Sequence, residues 1–275
     1  MLRSLSPRRR GLVLTATLAA AAVVGGGAGF VLTRDESPAA PPGTVVSSPG
    51  ATTDVVPVLL VHGYGGDVTN MSTIAARLRV AGRIVVSVAL PLRGLVGINE
   101  SAAALGQAAD ATGAERVDLV GYSLGGVVVR AWVADGNTDR ARRVVTIASP
   151  HHGARLAEQA GAVDPGRCTM ACAELRPGSA FLRALNDGDE SPDGPTWVAL
   201  RTALDQTVTP IDSAELDGAI NVLLQDVCPD SRVGHGSINR DALPVGLTLR
   251  ALSGELAESP PATECASLLR LGRGA

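Results

Sequence analysis

One serine of this chain has the spacing of a nucleophile. Ser123 lies between Gly121 and Gly125 in the stretch VGYSLGGVV, which has the pattern G-x-S-x-G. A serine hydroxyl can attack an electrophilic carbon when a base accepts its proton, a carboxylate orients that base, and N–H groups stabilise the resulting oxyanion. A serine in an ordinary glycine-rich turn needs none of these partners. The rest of the chain therefore decides between the two interpretations.

The residues around Ser123 predict the local structure that this chemistry requires. A strand candidate covers residues 117–121, and a helix candidate covers residues 124–134. A serine at such a strand–turn–helix junction is a nucleophile elbow, and the flanking glycines relieve crowding where strand and helix pack closely. The helix N-terminus adds partial positive charge beside the developing oxyanion. This context favours a nucleophile over a plain turn serine.

The base must come from a histidine far along the chain. The four histidines are His62, His151, His152 and His235. Enzymes with this elbow carry their triad in the chain order Ser, acid, His. Only His235, in the glycine-flanked loop RVGHGSI, follows Ser123 at a distance that leaves a strand and an acid between them. The alternative is an ordinary histidine of a surface loop.

The acid should follow the strand that lies between nucleophile and histidine. Asp205, in TALDQTV, comes directly after the strand candidate 196–202, and Asp212, in TPIDS, is the second candidate. Asp217 and Asp226 fit helix starts or surface positions. An aspartate near the strand end can reach the imidazole and hold it in one tautomer. We therefore predict Asp205 as the triad acid and keep Asp212 as the alternative.

The stretch VHGYGG, residues 61–66, ends the first strand candidate and predicts an oxyanion loop. In enzymes with this elbow, one oxyanion donor is the N–H after the nucleophile, here Leu124, and another comes from a loop early in the sheet. We predict the Tyr64 amide as this second donor, with its side chain lining an acyl pocket and His62 fixing the loop. The stretch lacks the lysine of a phosphate-binding loop and the spacing of a dinucleotide fingerprint. No cofactor or metal is predicted.

These residues need a sheet to bring them together. Apolar runs predict six strands at 55–62, 83–90, 116–122, 142–149, 196–202 and 219–225. Helical spacing of apolar residues predicts helices at 72–81, 100–112, 124–134, 178–185 and 241–252. Alternation of strands and helices predicts an α/β fold with a mostly parallel sheet and helices on both faces. The irregular stretch 150–195 follows the fourth strand, and we expect it to shape a substrate cleft at the carboxyl edge of the sheet.

The first 53 residues have the features of an export segment followed by a linker, and we do not expect them to belong to the folded domain. Arginines at positions 3, 8, 9 and 10 precede an uncharged stretch from 11 to 33, which is long enough to span a bilayer. We interpret residues 1–36 as an export signal or membrane anchor and favour the uncleaved anchor. Residues 37–53 have the Pro, Gly, Ser and Thr content of a linker. Residues 54–275 then form the catalytic domain, secreted or held on the outer face of the cell membrane.

Four cysteines are consistent with an exported protein that forms two disulfides. Three pairings are possible, and we favour the local pair Cys168–Cys172 with the long-range pair Cys228–Cys265. A zinc site is the alternative for the first two cysteines, but no histidine lies near them in the sequence. The net charge of −3 gives no indication of a nucleic-acid partner. We expect a monomer.

In these motifs the chain resembles the small secreted bacterial triacylglycerol lipases, also called class 2 lipases, of the α/β-hydrolase superfamily. The stretches that carry the resemblance, in order, are VLLVHGYGG, VDLVGYSLGG, VTIASPHHGA, TALDQTV, LDGAINVLLQDVCPD and VGHGSI. Together they span about residues 55–252. The resemblance implies the α/β-hydrolase fold, ester hydrolysis without a cofactor, and a triad of Ser123, Asp205 and His235. It also implies the Tyr64 and Leu124 amides as oxyanion donors.

Two features depart from that family or qualify it. Many relatives have the pattern G-H-S-x-G, whereas Tyr122 stands at the histidine position here, and we expect its side chain to point away from the ester. No stretch of the sequence predicts a large amphipathic lid. The motif SPHHG implies that His151 and His152 lie beside the site without taking part in catalysis.

The sequence therefore predicts a serine hydrolase that cleaves carboxylic esters, with lipids as the expected substrates, through an acyl-enzyme. The alternative is an acyltransferase of cell-envelope lipids, which would use the same triad with an alcohol in place of water. A hydrolase-like binding module without activity would need a broken triad, and every part of the triad is present in the sequence.

Overall fold

The computed structural model describes residues 56–164, 166 and 168–274. The predicted export segment (1–36) and the predicted linker (37–53) lie outside these residues, and the domain boundaries stay predictions. Within the described part, no helix has both the length and the apolar character needed to cross a bilayer.

Six strands form one sheet within the described residues: β1 (Val58–Val61), β2 (Val85–Val88), β3 (Val117–Tyr122), β4 (Ala141–Ile147), β5 (Thr196–Arg201) and β6 (Ile220–Leu223). The strand order is β2-β1-β3-β4-β5-β6, and every neighbouring pair is parallel. This confirms the predicted fold class. Because all strands run the same way, the loops that follow them meet at one edge of the sheet, where ligands bind in open α/β sheets.

The described residues also form nine α-helices: α1 (Ser72–Val80), α2 (Ile98–Ala111), α3 (Leu124–Trp132), α4 (Arg155–Val163), α5 (Met170–Glu174), α6 (Ala180–Leu185), α7 (Leu224–Val227), α8 (Ala242–Ser253) and α9 (Cys265–Arg273). Five of them were predicted within a few residues: α1, α2, α3, α6 and α8. The last predicted strand, 219–225, extends two residues past the end of β6, because the chain turns into α7 at Leu224.

The stretch 150–195 is more helical than the sequence predicted, since it contains α4 and α5 in addition to α6. Helix α5 is only five residues long, and the Thr169 side chain begins it by accepting a hydrogen bond from the Cys172 N–H. So short a helix has too few turns to show a periodic pattern. Helix α9, also unpredicted, packs tightly on α8: a Cβ on Gly272 would lie 2.6 Å from the carbonyl carbon of Ala242.

Two hydrophobic cores cover the two faces of the sheet. In β1, Val58 and Leu60 pack on the face covered by α1, α8 and α9, while Leu59 and Val61 pack on the face covered by α2, α3, α5 and α6. All four side chains are buried. Full burial of each such side chain contributes about 1.5–3 kcal/mol. Apolar residues at consecutive strand positions thus follow from a sheet that is covered on both sides.

Both favoured disulfides are present, Cys168–Cys172 and Cys228–Cys265. The first closes the turn that leads into α5. The second joins the chain just after α7 to the start of α9. Among the described residues, no group of three or more His, Cys, Asp or Glu side chains could hold a metal ion.

Two arginines bind a buried carboxylate at the amino end of β3. Asp118 is fully buried, and Arg142 binds both of its carboxylate oxygens, with Nε–Oδ1 at 2.9 Å and Nη2–Oδ2 at 2.6 Å. Arg83 also donates to Oδ2. Two arginines thus compensate the buried charge. This cluster lies at the end of the strand opposite Ser123 and explains a buried acid that is not part of the candidate site.

Candidate active site

Ser123 occupies a strained turn between β3 and α3. Its backbone angles are φ 54° and ψ −125°, a left-handed φ that residues other than glycine seldom adopt. Strain of this kind costs about 1–3 kcal/mol and clusters at functional sites. The Ser123 N–H donates to the Ile147 carbonyl at 2.8 Å, and the Ser123 carbonyl accepts from the Gly126 N–H at 3.0 Å. The neighbouring strand and the new helix therefore hold the turn from both sides.

The glycines on either side of the serine are required by close backbone approach. A Cβ on Gly121 would lie 2.5 Å from the Gly125 carbonyl carbon, and one on Gly125 would lie 2.7 Å from the His62 carbonyl oxygen. Neither obstacle is a flexible side-chain end, so a larger residue would have to displace backbone. The G-x-S-x-G pattern is thus a packing requirement of this elbow as well as a chemical signature.

The structure brings the three predicted triad residues together. Ser123 Oγ lies 3.1 Å from His235 Nε2, and His235 Nδ1 lies 2.8 Å from Asp205 Oδ2. These pairs are 112 and 30 residues apart in the chain. The His235 and Asp205 side chains are 11% and 4% exposed, respectively. The imidazole can therefore accept the serine proton through Nε2 while the carboxylate binds the Nδ1–H.

Asp205 is held in this position by its own loop. Its second oxygen, Oδ1, accepts hydrogen bonds from the N–H groups of Thr207 and Val208, each at 2.8 Å. This leaves Oδ2 for the imidazole. Asp212, the alternative acid, has a 72% exposed side chain and lies 3.8 Å from the Arg201 guanidinium. The geometry therefore favours Asp205 over Asp212 as the partner of His235.

A polar cluster that the sequence analysis missed joins the acid-bearing loop to the histidine-bearing loop. The buried Thr202 hydroxyl donates to the Val233 carbonyl at 2.6 Å and accepts from Gln225 Nε2 at 3.0 Å. The Gln225 amide also accepts from the Ala203 N–H at 2.9 Å and donates to the Ser231 carbonyl at 3.3 Å. Thr202 and Gln225 ended predicted strands in the sequence, and no local pattern distinguishes them from ordinary polar residues.

Both ring nitrogens of His62 make backbone contacts at the start of the predicted oxyanion loop. Its Nδ1 lies 2.8 Å from the Gly63 carbonyl, and its Nε2 accepts a hydrogen bond from the Leu90 N–H at 3.2 Å. Burial lowers the pKa of His62, which keeps the ring neutral so that one nitrogen donates and the other accepts. A Cβ on Gly63 would lie 3.1 Å from Ser123 Cβ, so this loop runs directly against the predicted nucleophile.

The loop after β2 braces the oxyanion loop from outside. Leu92 and Arg93 both have positive φ, 43° and 63°. This turn presents the Arg93 carbonyl to the Gly65 N–H at 2.9 Å and the Arg93 guanidinium to the Gly66 carbonyl at 3.2 Å. Nothing in the local sequence signals that Arg93 has this role.

The two predicted oxyanion donors are next in sequence to Ser123 and to Gly63, the glycine that lies against Ser123. Leu124 is the first residue of α3, and Tyr64 follows the glycine that lies against Ser123. Neither backbone N–H donates to a protein acceptor in the part of the chain that the structure describes. Two backbone N–H groups beside the serine, one of them at a helix N-terminus, suit a negatively charged oxygen.

The Tyr64 side chain reaches the segment that follows the fourth strand. Its hydroxyl lies 3.0 Å from Thr169 Oγ1, and 42% of the residue is exposed. Thr169 is next to the Cys168–Cys172 disulfide, which stiffens this turn. The irregular stretch therefore borders the oxyanion loop, as expected for a segment that shapes a cleft.

The histidines of SPHHG make other contacts. His151 is fully buried, with Nε2 at 3.0 Å from Thr146 Oγ1, and its Nδ1 has no partner among the described residues. His152 Nε2 lies 2.8 Å from Glu190 Oε1. Burial, with a smaller contribution from Arg130, lowers the pKa of His151 well below its usual value. His151 is therefore a neutral, structural histidine.

His151 should make the fold sensitive to mild acid. Below pH 6.5 the unfolded chain protonates this histidine, while the folded chain leaves it neutral, so the free energy of unfolding falls as the pH falls. The contribution of one such group between pH 6.5 and 5.5 is about 1 kcal/mol. Urea unfolding at several pH values in this window measures it. The His151→Asn variant should show a shallower acid dependence than the wild type, and an equal dependence in both proteins would contradict the assignment.

Comparison with solved structures identifies the architecture. Similar folds occur in lipase B of Aspergillus fumigatus (17% identity, TM-score 0.62) and in the mature lipase BlEst2 of Bacillus licheniformis (20%, 0.57). A third is MGS-MChE2, an α/β hydrolase from the metagenome of sediments of the Mar Chica lagoon, Morocco (21%, 0.54). The three alignments cover 79%, 76% and 73% of this chain. They cover 61%, 96% and 91% of the lengths of the three compared proteins, in the same order.

The chain has the α/β-hydrolase fold.

Residues 57–187 of the chain match the family model of palmitoyl protein thioesterase, just under half of the chain. The match covers the oxyanion loop and the elbow but ends before Asp205 and His235. No curated protein matches the chain. This chain aligns with about three fifths of the length of the Aspergillus fumigatus lipase. The predicted resemblance to α/β-hydrolase lipases and esterases is thus confirmed at the level of fold.

Proposed function

We propose that this α/β hydrolase is a serine hydrolase that cleaves carboxylic esters of apolar acyl groups through an acyl-enzyme. The observation that carries the proposal is the continuous hydrogen-bonded chain from Ser123 through His235 to Asp205, with distances of 3.1 and 2.8 Å. Nucleophile, base and orienting acid in this geometry are the arrangement of acyl-transfer enzymes.

The reaction proceeds in two halves. His235 Nε2 accepts the Ser123 Oγ proton as Oγ bonds to the ester carbonyl carbon, and the carbonyl electron pair moves to the oxygen, which the Tyr64 and Leu124 N–H groups bind. As this intermediate collapses, the bond to the leaving alkoxide breaks and His235 returns the proton to it. A water molecule then attacks the acyl-enzyme by the same steps in reverse order, which releases the acid and restores the serine.

The edge of the sheet around Ser123 favours an apolar substrate. Loops and helices that follow β1, β2, β4 and β5 carry exposed large apolar side chains, among them Tyr64, Leu92, Leu156, Met170 and Leu204. Leu92 and Met170 are 75% and 62% exposed. These exposed side chains support the proposal of an apolar substrate. Esters of fatty acids, including lipids, have this character.

A palmitoyl thioester is the second candidate substrate. The match to the palmitoyl protein thioesterase model favours it, and the same triad can attack a thioester carbonyl, with a thiolate as the leaving group. An acyltransferase of cell-envelope lipids would differ only in the group that accepts the acyl chain.

We also propose that the enzyme works as a monomer outside the cytoplasm. Two disulfides, which persist in oxidising compartments, support this location. In this proposal residues 1–36 carry the chain to the membrane, residues 37–53 are the linker, and residues 54–275 are the catalytic domain.

Labelling with a fluorophosphonate tests the proposed nucleophile. This probe reacts with activated serines, and we expect one adduct, located by mass spectrometry on the peptide that contains Ser123. Turnover of p-nitrophenyl esters of increasing acyl length, compared with a palmitoyl thioester, then ranks the substrates, and added alcohol reveals acyl transfer. Absence of labelling in folded protein, together with no turnover of any ester, would reject the proposal.

A further inference from the structure

Histidine 235 lies on a short turn between two glycines. It begins the one-turn helix His235–Ser237 and is flanked by Gly234 and Gly236. A Cβ on Gly236 would meet no atom within 4 Å, so no packing restrains this side of the turn. Glycines raise the conformational freedom of the backbone. Contacts from other elements therefore help to set the position of the imidazole between Ser123 and Asp205.

Tyr122 supplies such a contact directly to His235. Its hydroxyl donates a hydrogen bond of 3.0 Å to the His235 backbone carbonyl. Its ring also lies against the imidazole, with centroids 5.3 Å apart and planes tilted by 36°. Among the described residues, no other side chain bonds to the His235 backbone.

The contact also links the histidine to the nucleophile. Tyr122 is the last residue of β3 and immediately precedes Ser123. Its Cα therefore moves with the strand that carries the serine, while its hydroxyl holds the segment that carries the base. Burial, with help from the Asp205 carboxylate, raises the pKa of the Tyr122 phenol to about 12. The phenol thus keeps its proton, and remains a donor, throughout the neutral range.

We propose that Tyr122 is a positioning residue, whose hydroxyl holds the His235 imidazole in line between Ser123 and Asp205. This inference rests on the proposed function. It also gives a physical role to the residue at which the chain departs from the G-H-S-x-G pattern. The residue does not touch the substrate in this proposal; it acts through the histidine.

Tyr122→Phe removes the hydroxyl and keeps the ring. The matched control is Thr248→Val in α8, because Thr248 is also buried and its hydroxyl also donates to one backbone carbonyl, that of Pro244 at 2.8 Å. We expect kcat of Tyr122→Phe to fall about tenfold, with KM within about twofold, since a tenfold rate change corresponds to the loss of about one hydrogen bond. Thr248→Val should keep kcat, while both variants change the melting temperature to a similar extent.

Proton NMR distinguishes a loss of His235 positioning from a general loss of stability. The proton between His235 Nδ1 and Asp205 Oδ2 should give a far-downfield resonance that is broadened or lost in Tyr122→Phe and retained in Thr248→Val. An unchanged kcat, or a reduced kcat with this resonance intact, would overturn the inference. If Ser123→Ala retained full turnover, the proposed function itself would fail, so the two failures are distinguishable.

Discussion

Replacing Ser123 by alanine is expected to abolish ester hydrolysis. The change removes the only atom proposed to bond to the acyl carbon, and His235 is left without a proton to accept. Loss of a serine nucleophile from a complete triad lowers kcat by about 10⁴-fold or more, and the residual rate comes from the oxyanion donors and from binding. Steady-state hydrolysis of a p-nitrophenyl ester measures the loss.

The same substitution should leave the fold intact. Within the described residues the Ser123 hydroxyl bonds only to His235, and the backbone contacts that hold the elbow use the main chain. The matched control is Ser101→Ala in α2, because that serine is fully buried and its hydroxyl has no partner among the described groups. We expect Ser101→Ala to keep full activity. Turnover by Ser123→Ala at the wild-type rate would end the assignment of the nucleophile.

The second large effect is expected for Asp205→Asn, which should lower kcat by about 10³–10⁴-fold. Asp205 accepts hydrogen bonds from Thr207, Val208 and His235 through two oxygens. An asparagine has one oxygen, which the two backbone N–H groups would take, and its NH₂ would then face His235 Nδ1. The imidazole would have to carry its proton on Nε2 instead, where it cannot accept the serine proton.

Asp212→Asn is the matched control for this prediction. Both changes remove one carboxylate from the same stretch of chain, but the Asp212 side chain is largely exposed and lies near Arg201. Exposed ion pairs contribute little to stability, so we expect kcat within about twofold of the wild type. A larger loss in Asp212→Asn than in Asp205→Asn would reverse the assignment of the acid. The pH–rate profiles of both variants provide the supporting measurement.

The parts of this protein that could be predicted from sequence are those set by local pattern. All six strands were predicted, because strands covered on both faces appear as short apolar runs whatever their partners are. The elbow was predicted too, since close packing at Gly121 and Gly125 excludes a side chain and so leaves a visible signature. Chain order then selected His235, and loop position favoured Asp205.

Other parts have no local signature. Helix α5 begins at a threonine cap beside a disulfide, and α9 depends on the fit of Gly272 against α8. Arg93 braces the oxyanion loop from a different turn. In the sequence Tyr122 is only a departure from the G-H-S-x-G pattern, whereas in the structure its hydroxyl lies 3.0 Å from the His235 carbonyl, 113 residues further along the chain.

By itself, therefore, the sequence determined the chain order of the six strands and of five of the helices, the elbow that carries Ser123, and which residue types were available as base and acid. Only the tertiary structure decided which side chains meet: the separation of 2.8 Å between His235 and Asp205, and the bonds from Thr202, Gln225 and Tyr122 that hold the two loops. The physical reason is the separation along the chain over which each kind of interaction acts. Apolar periodicity and backbone crowding act between near neighbours in the chain, whereas a hydrogen bond across the sheet edge depends on where distant loops end after the whole sheet has packed.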